Sequence, residues 1–327
     1  MKYPQEFKPS PSVNIIYTLA ASSNFVVDGI CFAGHNNGLS RSIDGGETWI
    51  NAYRSLELTD PLPTMAIALS PEFISDKTVF AGVMGGVLYS QDGGETWQVS
   101  SLREPRPLVS TIEISPSYPV DGTLFAGTVE DGVYISNDRG RNFIPWNFGL
   151  LDFNIYSLAI SPNFRQDGVL FVGCESGIFR SKNRGRSWRE VNFPVELAPV
   201  LTLFVSPCYS SDGMLIAGTE SKGVFRSTDD GTTWVRVCED IGDDDNPVNL
   251  IISNNDWQEG NKEVLVVGGD ALFISRNGGE NWHKVDLNIS LKQNGITTCF
   301  APGGLGIGAS LFIGLTNGEI HKIRLSS

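Results

Sequence analysis

The chain of 327 residues is poor in histidine and cysteine, with three and five copies. The cysteines are odd in number and widely spaced, so the sequence indicates neither a disulfide framework nor a C-x-x-C metal clip. Positive charge is also scarce, with 24 Lys and Arg against 37 Asp and Glu. The net charge of −13 argues against nucleic acid as a partner. No apolar run reaches the length of about 18 residues that a membrane span needs.

Targeting and cofactor signals are absent as well. The first residues contain no apolar segment before a small-residue cleavage site, so no secretory signal is visible. Because the thiols are expected to be reduced and mostly buried, the sequence predicts a cytoplasmic protein. It has no P-loop, no H-E-x-x-H and no G-x-G-x-x-G after a strand, so we expect no cofactor and no metal.

Glycine, in contrast, is abundant at 36 residues, and a short phrase of the form Ser-x-Asp/Asn-x-Gly-x-x-Trp/Phe recurs six times. The copies occupy residues 42–49, 90–97, 136–143, 181–188, 227–234 and 275–282. Their first serines are 45 to 48 residues apart, a spacing at which the 327 residues hold seven units. Such a period is typical of a stacked repeat architecture.

Each unit contains four short runs rich in Val, Ile, Phe and Trp, bounded by Gly, Asn, Asp or Pro, which indicates four β-strands. Seven such units predict an all-β protein, a seven-bladed β-propeller of four-stranded antiparallel blades, as one domain over residues 1–327. The seventh unit ends after three runs. We therefore expect part of the segment Lys2–Lys8 to supply its fourth strand, so that the N-terminal strand closes the last blade.

The recurring acids have a structural interpretation. In each phrase the Asp or Asn accepts hydrogen bonds from its own turn, glycine takes the positive φ, and the tryptophan packs between blades. Copies distributed around a ring cannot all be one active site, and two have lost the carboxylate. The residues in question are Asp44, Asp92, Asp138, Asn183, Asp229 and Asn277. A second phrase, aromatic-x-x-Asp, follows the first strand of five units and is interpreted in the same way.

The six phrases resemble the Asp-box (BNR) repeat of sialidases, sortilin-type receptors, xyloglucanases and photosystem II assembly propellers. Together with the Ser-Pro-x-Phe and Leu-Phe-Ala-Gly phrases, they make the chain similar to bacterial BNR-like propeller proteins. The resemblance covers nearly the whole chain and implies the fold, with the box between the third and fourth strands of each blade. It does not imply one activity, because the box is a structural device of the family.

Connectivity separates the two faces of the predicted disc. Loops after strands one and three open on the face that carries the boxes, the box face, and their sequences are nearly identical between units. Loops after strands two and four open on the opposite side, the irregular face, and differ between units. Since function requires asymmetry, we expect the site on the irregular face.

The turns after strand two of units three to six bring carboxylates to the mouth of the axial channel. These residues are Glu130, Glu175, Glu220 and Asp270, with Asp131 beside the first. They are interpreted as solvated turn residues, as a site for a cation or basic segment, or as the acids of a glycan hydrolase or lyase.

The longer loops after strand four supply further candidates for partner contact. The third is unusually apolar, with Trp146, Phe148, Leu150, Leu151 and Phe153. The full set of predicted partner-binding residues is His35, Arg54, Arg103, Arg106, Trp146 and Phe148. The sequence favours a non-catalytic protein-binding or assembly propeller that holds another protein, or a basic segment, on its irregular face. The alternative is a carbohydrate-active enzyme with carboxylates at the channel mouth.

Overall fold

The computed structural model describes residues 14–194, 198–237, 241, 246–254, 257, 261–287, 291 and 294–325. These residues form seven antiparallel sheets, each made of strands that follow one another in the sequence. Six sheets have four strands and one has three. The fold is the predicted seven-bladed β-propeller, with one repeat unit per blade.

The strands of the blades are as follows. Blade 1 has β1 (Ile16–Ala21), β2 (Cys31–His35), β3 (Gly38–Ser42) and β4 (Ile50–Asn51). Blade 2 has β5 (Ala66–Leu69), β6 (Val79–Val83), β7 (Gly86–Ser90) and β8 (Gln98–Ser101). Blade 3 has β9 (Leu108–Ile114), β10 (Leu124–Val129), β11 (Gly132–Ser136) and β12 (Ile144–Pro145). Blade 4 has β13 (Ile155–Ile160), β14 (Leu170–Cys174), β15 (Ile178–Ser181) and β16 (Arg189–Glu190). Blade 5 has β17 (Val200–Val205), β18 (Leu215–Thr219), β19 (Val224–Ser227) and β20 (Val235–Val237). Blade 6 has β21 (Val248–Ser253), β22 (Val264–Gly268), β23 (Ala271–Ser275) and β24 (His283–Lys284). Blade 7 has β25 (Ile296–Phe300), β26 (Ser310–Leu315) and β27 (Ile320–Arg324).

The first strand of each blade is the innermost, and these seven strands surround the propeller axis. Each contacts the first strand of the next blade, and β25 of the last blade contacts β1 of the first, so the ring is closed. The predicted closing strand over Lys2–Lys8 lies outside the described residues. Within the described residues, blade 7 has three strands.

The core lies between the blades rather than within them. Seven clusters of buried apolar residues are described, and each joins two neighbouring blades. Aromatic pairs repeat at these interfaces: Phe73 of blade 2 packs edge-on against Phe32 of blade 1, with ring centroids 6.4 Å apart. The same contact joins Phe25 of blade 1 to Phe312 of blade 7 at 5.5 Å. Burying both faces of each sheet in this way explains why the second strands are buried along nearly their whole length.

The aromatic-x-x-Asp phrase forms one helical turn after the first strand in five blades. These turns are α1 (Phe25–Asp28), α2 (Phe73–Asp76), α3 (Tyr118–Asp121), α4 (Phe164–Asp167) and α5 (Tyr209–Asp212). In the first, Ser22 Oγ donates to Asp28 Oδ2 at 2.6 Å, and the N–H of Ile30 donates to Asp28 Oδ1 at 3.0 Å. The aromatic residue is buried and the carboxylate closes the turn, as the sequence predicts.

Blades 6 and 7 depart from this pattern, so the expected uniformity of the box face is wrong for two of the seven blades. In the described parts of their first loops, neither forms the helical turn. Blade 6 places Trp257 against Phe204 of blade 5, with ring centroids 5.7 Å apart. Blade 7 has instead a glycine-rich loop over residues 301–309. A cavity of about 610 Å³ lies between this loop and blades 6 and 1.

A 3₁₀ helix, Ala52–Leu56, lies outside this repeat, in the connection from blade 1 to blade 2 on the irregular face. It buries Tyr53, whose hydroxyl is 2.8 Å from Thr64 Oγ1. The 3₁₀ helix is therefore anchored on the disc through Tyr53.

Candidate functional site

Each Asp box holds its own turn with side-chain hydrogen bonds. In the first box, Ser42 Oγ donates to Asp44 Oδ1 at 2.7 Å, and the N–H of Thr48 donates to the same oxygen at 2.9 Å. The hydroxyl and N–H of Thr48, together with Ser42, lower the pKa of Asp44 to about 2. The serine-to-acid or serine-to-amide bond recurs at Asp92, Asp138, Asn183, Asp229 and Asn277. These are the bonds that a structural role requires.

The box tryptophans differ in the carbonyl group to which their indole N–H donates. The indole N–H of Trp97 donates to Ala52 O of the preceding blade at 3.0 Å, and that of Trp188 donates to Trp146 O of the preceding blade at 2.8 Å. Trp49, in contrast, donates to Gly46 O within its own box. Trp97 and Trp188 therefore tie their boxes to the connection that leaves the preceding blade.

Four predicted carboxylates lie, as connectivity requires, in the turns between the second and third strands of blades 3 to 6. Glu130, Glu175, Glu220 and Asp270 all have exposed side chains on the irregular face. Glu130 has a φ of +74° and its N–H donates to Asn154 Oδ1 at 3.1 Å. Asn154 in turn donates through Nδ2 to Glu175 Oε2 at 2.7 Å. One asparagine thus bridges the acidic turns of blades 3 and 4.

Tyr156 lies at the start of the inner strand of blade 4, and its pKa is affected by several neighbouring carboxylates. Burial raises its pKa first, and the negative charges of Glu175, Asp152 and Glu220 raise it further. Asp152 is fixed by the N–H of Ser176, which donates to its Oδ2 at 2.7 Å. Glu175, Glu220 and Asp152, which come from two blades and one connecting loop, therefore all act electrostatically on one hydroxyl. Asp152 is an acid of this region that the sequence analysis did not include.

Among the described connections of this face, the one from blade 3 to blade 4, residues 146–154, has the most exposed large apolar side chains. Phe148 is 80 %, Leu151 78 % and Phe153 44 % exposed. Trp146 is half-buried against the core of blades 3 and 4 instead, which accounts for its ring by packing. We call Phe148, Leu151 and Phe153 the apolar strip.

The loop that carries the apolar strip is fixed at both ends. The N–H of Trp188 donates to Phe148 O at 2.9 Å, and the N–H of Gly132 donates to Phe153 O at 3.0 Å. Between them Leu150 is 4 % exposed and anchors the loop in the core. Gly149 has a φ of +82°, and a Cβ there would lie 2.4 Å from Trp188 O. The backbone that carries the exposed side chains is therefore held in place, which lowers the entropic cost of binding a partner.

The predicted basic and histidine candidates are placed differently. Arg54 is exposed on the 3₁₀ helix. Arg103 forms two hydrogen bonds with Asp131, at 2.7 and 3.1 Å, and Arg106 pairs with Glu104 at 2.8 Å. His35 is 9 % exposed, burial lowers its pKa, and its Nε2 lies 2.9 Å from Ser40 Oγ. The charges of Arg103 and Arg106 are thus paired with carboxylates, and the charge of Arg54 lies on an exposed side chain.

One residue that the sequence analysis missed is Glu113 in β9. It pairs across the sheet with Phe125, a position that in blades 1, 2 and 4 belongs to Ala20, Ala68 and Ala159. Within the described part of the chain, Glu113 makes no hydrogen bond or ion pair. Its side chain keeps some exposure, yet surrounding protein atoms raise its pKa to about 8. Aligning the seven inner strands would have revealed it as the acid among apolar residues.

Among the described residues, no group of three or more His, Cys, Asp or Glu side chains could hold a metal ion. The search of the same residues found no helix long and apolar enough to cross a membrane. Burial raises the pKa of the Cys31 thiol to about 12 and also raises the pKa of Cys174 and Cys299. These three thiols are therefore unsuited to act as nucleophiles.

Comparison with known proteins identifies the repeat and the fold. The model of the BNR/Asp-box repeat matches residues 88–99 and 273–284. No curated protein matches the sequence. Among solved structures, YCF48 bound to D1 peptide matches with a TM-score of 0.68 and 17 % identity, over 97 % of this chain and 93 % of that chain.

Two other similar structures belong to larger proteins. The extracellular domain of a one-component system from B. thetaiotaomicron has a TM-score of 0.70 and 17 % identity, over 96 % of this chain and 38 % of its own length. The GH74 xyloglucanase from Xanthomonas campestris has a TM-score of 0.71 and 13 % identity, over 95 % of this chain and 52 % of its own. This chain thus spans about half or less of these two proteins. At these identities the similarity shows the fold alone: the chain is a seven-bladed β-propeller that carries BNR/Asp-box repeats.

Proposed function

We propose that this protein is a non-catalytic binding propeller that holds another protein on its irregular face. The observation that carries the proposal is the apolar strip. Phe148 and Leu151 are almost fully exposed on a loop whose backbone is hydrogen-bonded to blades 3 and 4. Exposed apolar side chains of this kind do not help a chain of net charge −13 to stay in solution, so their exposure requires another explanation. Fixed, exposed aromatic groups are the anchors that protein interfaces use.

The similarity to YCF48 supports this choice. That structure was solved with a peptide bound, and the two chains cover nearly all of each other. A propeller of this size and repeat type can therefore act as a peptide-binding domain. In the present chain the apolar strip is the surface that we assign to this task.

The experiment is site-specific photo-crosslinking, with a photoreactive phenylalanine analogue at position 148. We expect one crosslinked protein, which is then purified and shown to bind the propeller directly. The double variant Phe148→Ser/Leu151→Ser should weaken that binding at least about thirtyfold. The matched control is Val26→Ser/Val27→Ser, which removes two exposed apolar side chains from the box face. Equal losses in both double variants, with unchanged melting curves, would contradict the assignment of the irregular face.

A second candidate, a carbohydrate-active enzyme, is favoured by the similarity to GH74 enzymes. Its acids would be drawn from Glu130, Glu175, Glu220 and Asp270 at the channel mouth. Glycoside hydrolysis requires two opposed carboxyl groups. Incubation with xyloglucan and a panel of other glycans tests this candidate. Turnover that Glu175→Gln or Glu220→Gln abolishes, without change in the melting curve, would establish the enzyme and overturn the binding proposal.

A further inference from the structure

The loop of the apolar strip runs from the outer edge of the disc, at the border of blades 3 and 4, to the irregular face near the axis. Its loop leaves the outermost strand of blade 3, β12, and ends at the innermost strand of blade 4, β13. Phe148 lies at the outer end, where its carbonyl accepts from Trp188 beside the outer strand of blade 4. Phe153 lies at the inner end, where its carbonyl accepts from Gly132 in the turn of blade 3. A ligand that follows the loop therefore passes from the rim of the disc to its axis.

The chemistry changes along this path from apolar to negatively charged. At the inner end, Asn154 donates to Glu175 and accepts from the N–H of Glu130. Asp152, Glu175 and Glu220 act electrostatically on the Tyr156 hydroxyl, and the buried thiol of Cys174 acts in the same direction. Lys222 follows Glu220 in the same turn. The axial end of the path thus has four carboxylate residues, Glu130 included, against Lys222, and therefore carries net negative charge.

The length of the path follows from sheet geometry. Four strands of a blade lie about 4.8 Å apart, so the outermost and innermost strands are separated by about 14 Å. An extended peptide advances about 3.3 Å per residue and covers this distance in about four residues. The apolar and acidic ends of the path are thus within reach of one short linear segment.

We propose that the occupant of this path is a linear segment of a partner protein, with an apolar side chain at the rim and a Lys or Arg about four residues away at the axis. This inference rests on the proposed function and specifies the partner's chemistry. The apolar side chain packs on Phe148 and Leu151, and the basic side chain reaches the carboxylates around Tyr156. Complementary charge fixes the direction in which the segment lies, while the apolar contacts supply most of the affinity.

Selection from a random peptide library on the immobilised full chain tests the inference. We expect enriched peptides to pair an aromatic or large aliphatic residue with a Lys or Arg, separated by about three intervening residues. Phe148→Ser should abolish the enrichment. Glu175→Gln/Glu220→Gln should weaken the selected peptides about fivefold to thirtyfold and remove their preference for a basic residue. Glu47→Gln/Glu72→Gln removes two exposed carboxylates from the box face and should leave binding unchanged.

The outcomes separate the two proposals. Peptides that depend on Phe148 but show no basic residue, or no preferred spacing, would overturn this inference and leave the binding function standing. A crosslinked partner that binds only as a folded domain, with no peptide retained by the wild-type chain, would also overturn it. Failure of both the library and the crosslinking experiment would remove the proposed function itself.

Discussion

Replacing Glu113 should make the protein more stable at alkaline pH. Its carboxyl group lies in the inner strand of blade 3 without a partner in the described part of the chain, and burial raises its pKa from 4.5 to about 8. The folded state therefore holds a proton that the unfolded chain releases above pH 4.5. Since the folded state binds more protons in this range, the free energy of unfolding falls as pH rises from about 4.5 to about 8.

The size of the effect follows from the shift. Each pKa unit corresponds to about 1.4 kcal/mol, which sets an upper bound of about 5 kcal/mol for the full shift. Residual solvent exposure of the side chain screens the carboxylate, so we expect about 1–3 kcal/mol. Glu113→Ala, which introduces the residue of blades 1, 2 and 4, should raise the free energy of unfolding by that amount at pH 8.5. At pH 4 the gain should vanish, because the wild-type carboxyl is then neutral in both states.

Urea unfolding of the wild type, Glu113→Gln and Glu113→Ala at pH 4, 6 and 8.5 measures this directly. Glu190→Gln, at an exposed position of β16, serves as the control for the general pH response. A gain in stability that is the same at all three pH values would show that the ionisation of Glu113 is not its cause. Lower stability of Glu113→Gln at pH 8.5 would refute the reasoning altogether.

Three further predictions test the structure. In denaturant unfolding, Gly140→Ala should destabilise the protein by about 1–3 kcal/mol more than Gly45→Ala. Both glycines have positive φ, but a Cβ at Gly140 would lie 2.4 Å from the Phe80 ring, whereas a Cβ at Gly45 would meet no atom within 4 Å. Equal effects would refute the inter-blade contact. Trp188→Phe should cost about 1 kcal/mol, since its indole N–H no longer donates to Trp146 O, and should speed amide hydrogen exchange in residues 146–151. Unchanged exchange there would mean that the bond does not fix the loop. Deleting residues 1–10 should lower the melting temperature by several degrees if they close blade 7, through a loss of about 1–3 kcal/mol; an unchanged melt would exclude such a closing strand.

The repeat made the architecture predictable, because each box, each aromatic-x-x-Asp turn and each glycine recurs at the spacing of one blade. Local chemistry of this kind is visible in sequence: the Ser42 to Asp44 bond joins residues two apart. The departure of blades 6 and 7 was visible too, since residues 301–309 lack the aromatic-x-x-Asp phrase.

The functional surface was less predictable, because its contacts join distant parts of the chain. Asn154 reaches Glu175, 21 residues away, and Trp188 holds Trp146 across 42 residues. Sequence placed Phe148 and Trp146 together as apolar candidates, but only packing separates the exposed ring from the half-buried one. Glu113 belongs to no motif, so it stands out only when the inner strands are aligned and Ala20, Ala68 and Ala159 are seen at its position.

The contact between Phe25 and Phe312 has a consequence for biosynthesis. These rings join the first and last blades, with centroids 5.5 Å apart, although 287 positions separate them in the chain (312 − 25 = 287). During synthesis on the ribosome, Phe25 cannot make this contact until Phe312 of blade 7 has been added to the chain. Until blade 7 has been synthesised, the ring cannot close, and the first blade and the most recently made blade each keep one apolar side uncovered. Termination before blade 7 would leave those sides available for aggregation, so the ring geometry places a risk of misassembly at the addition of this blade.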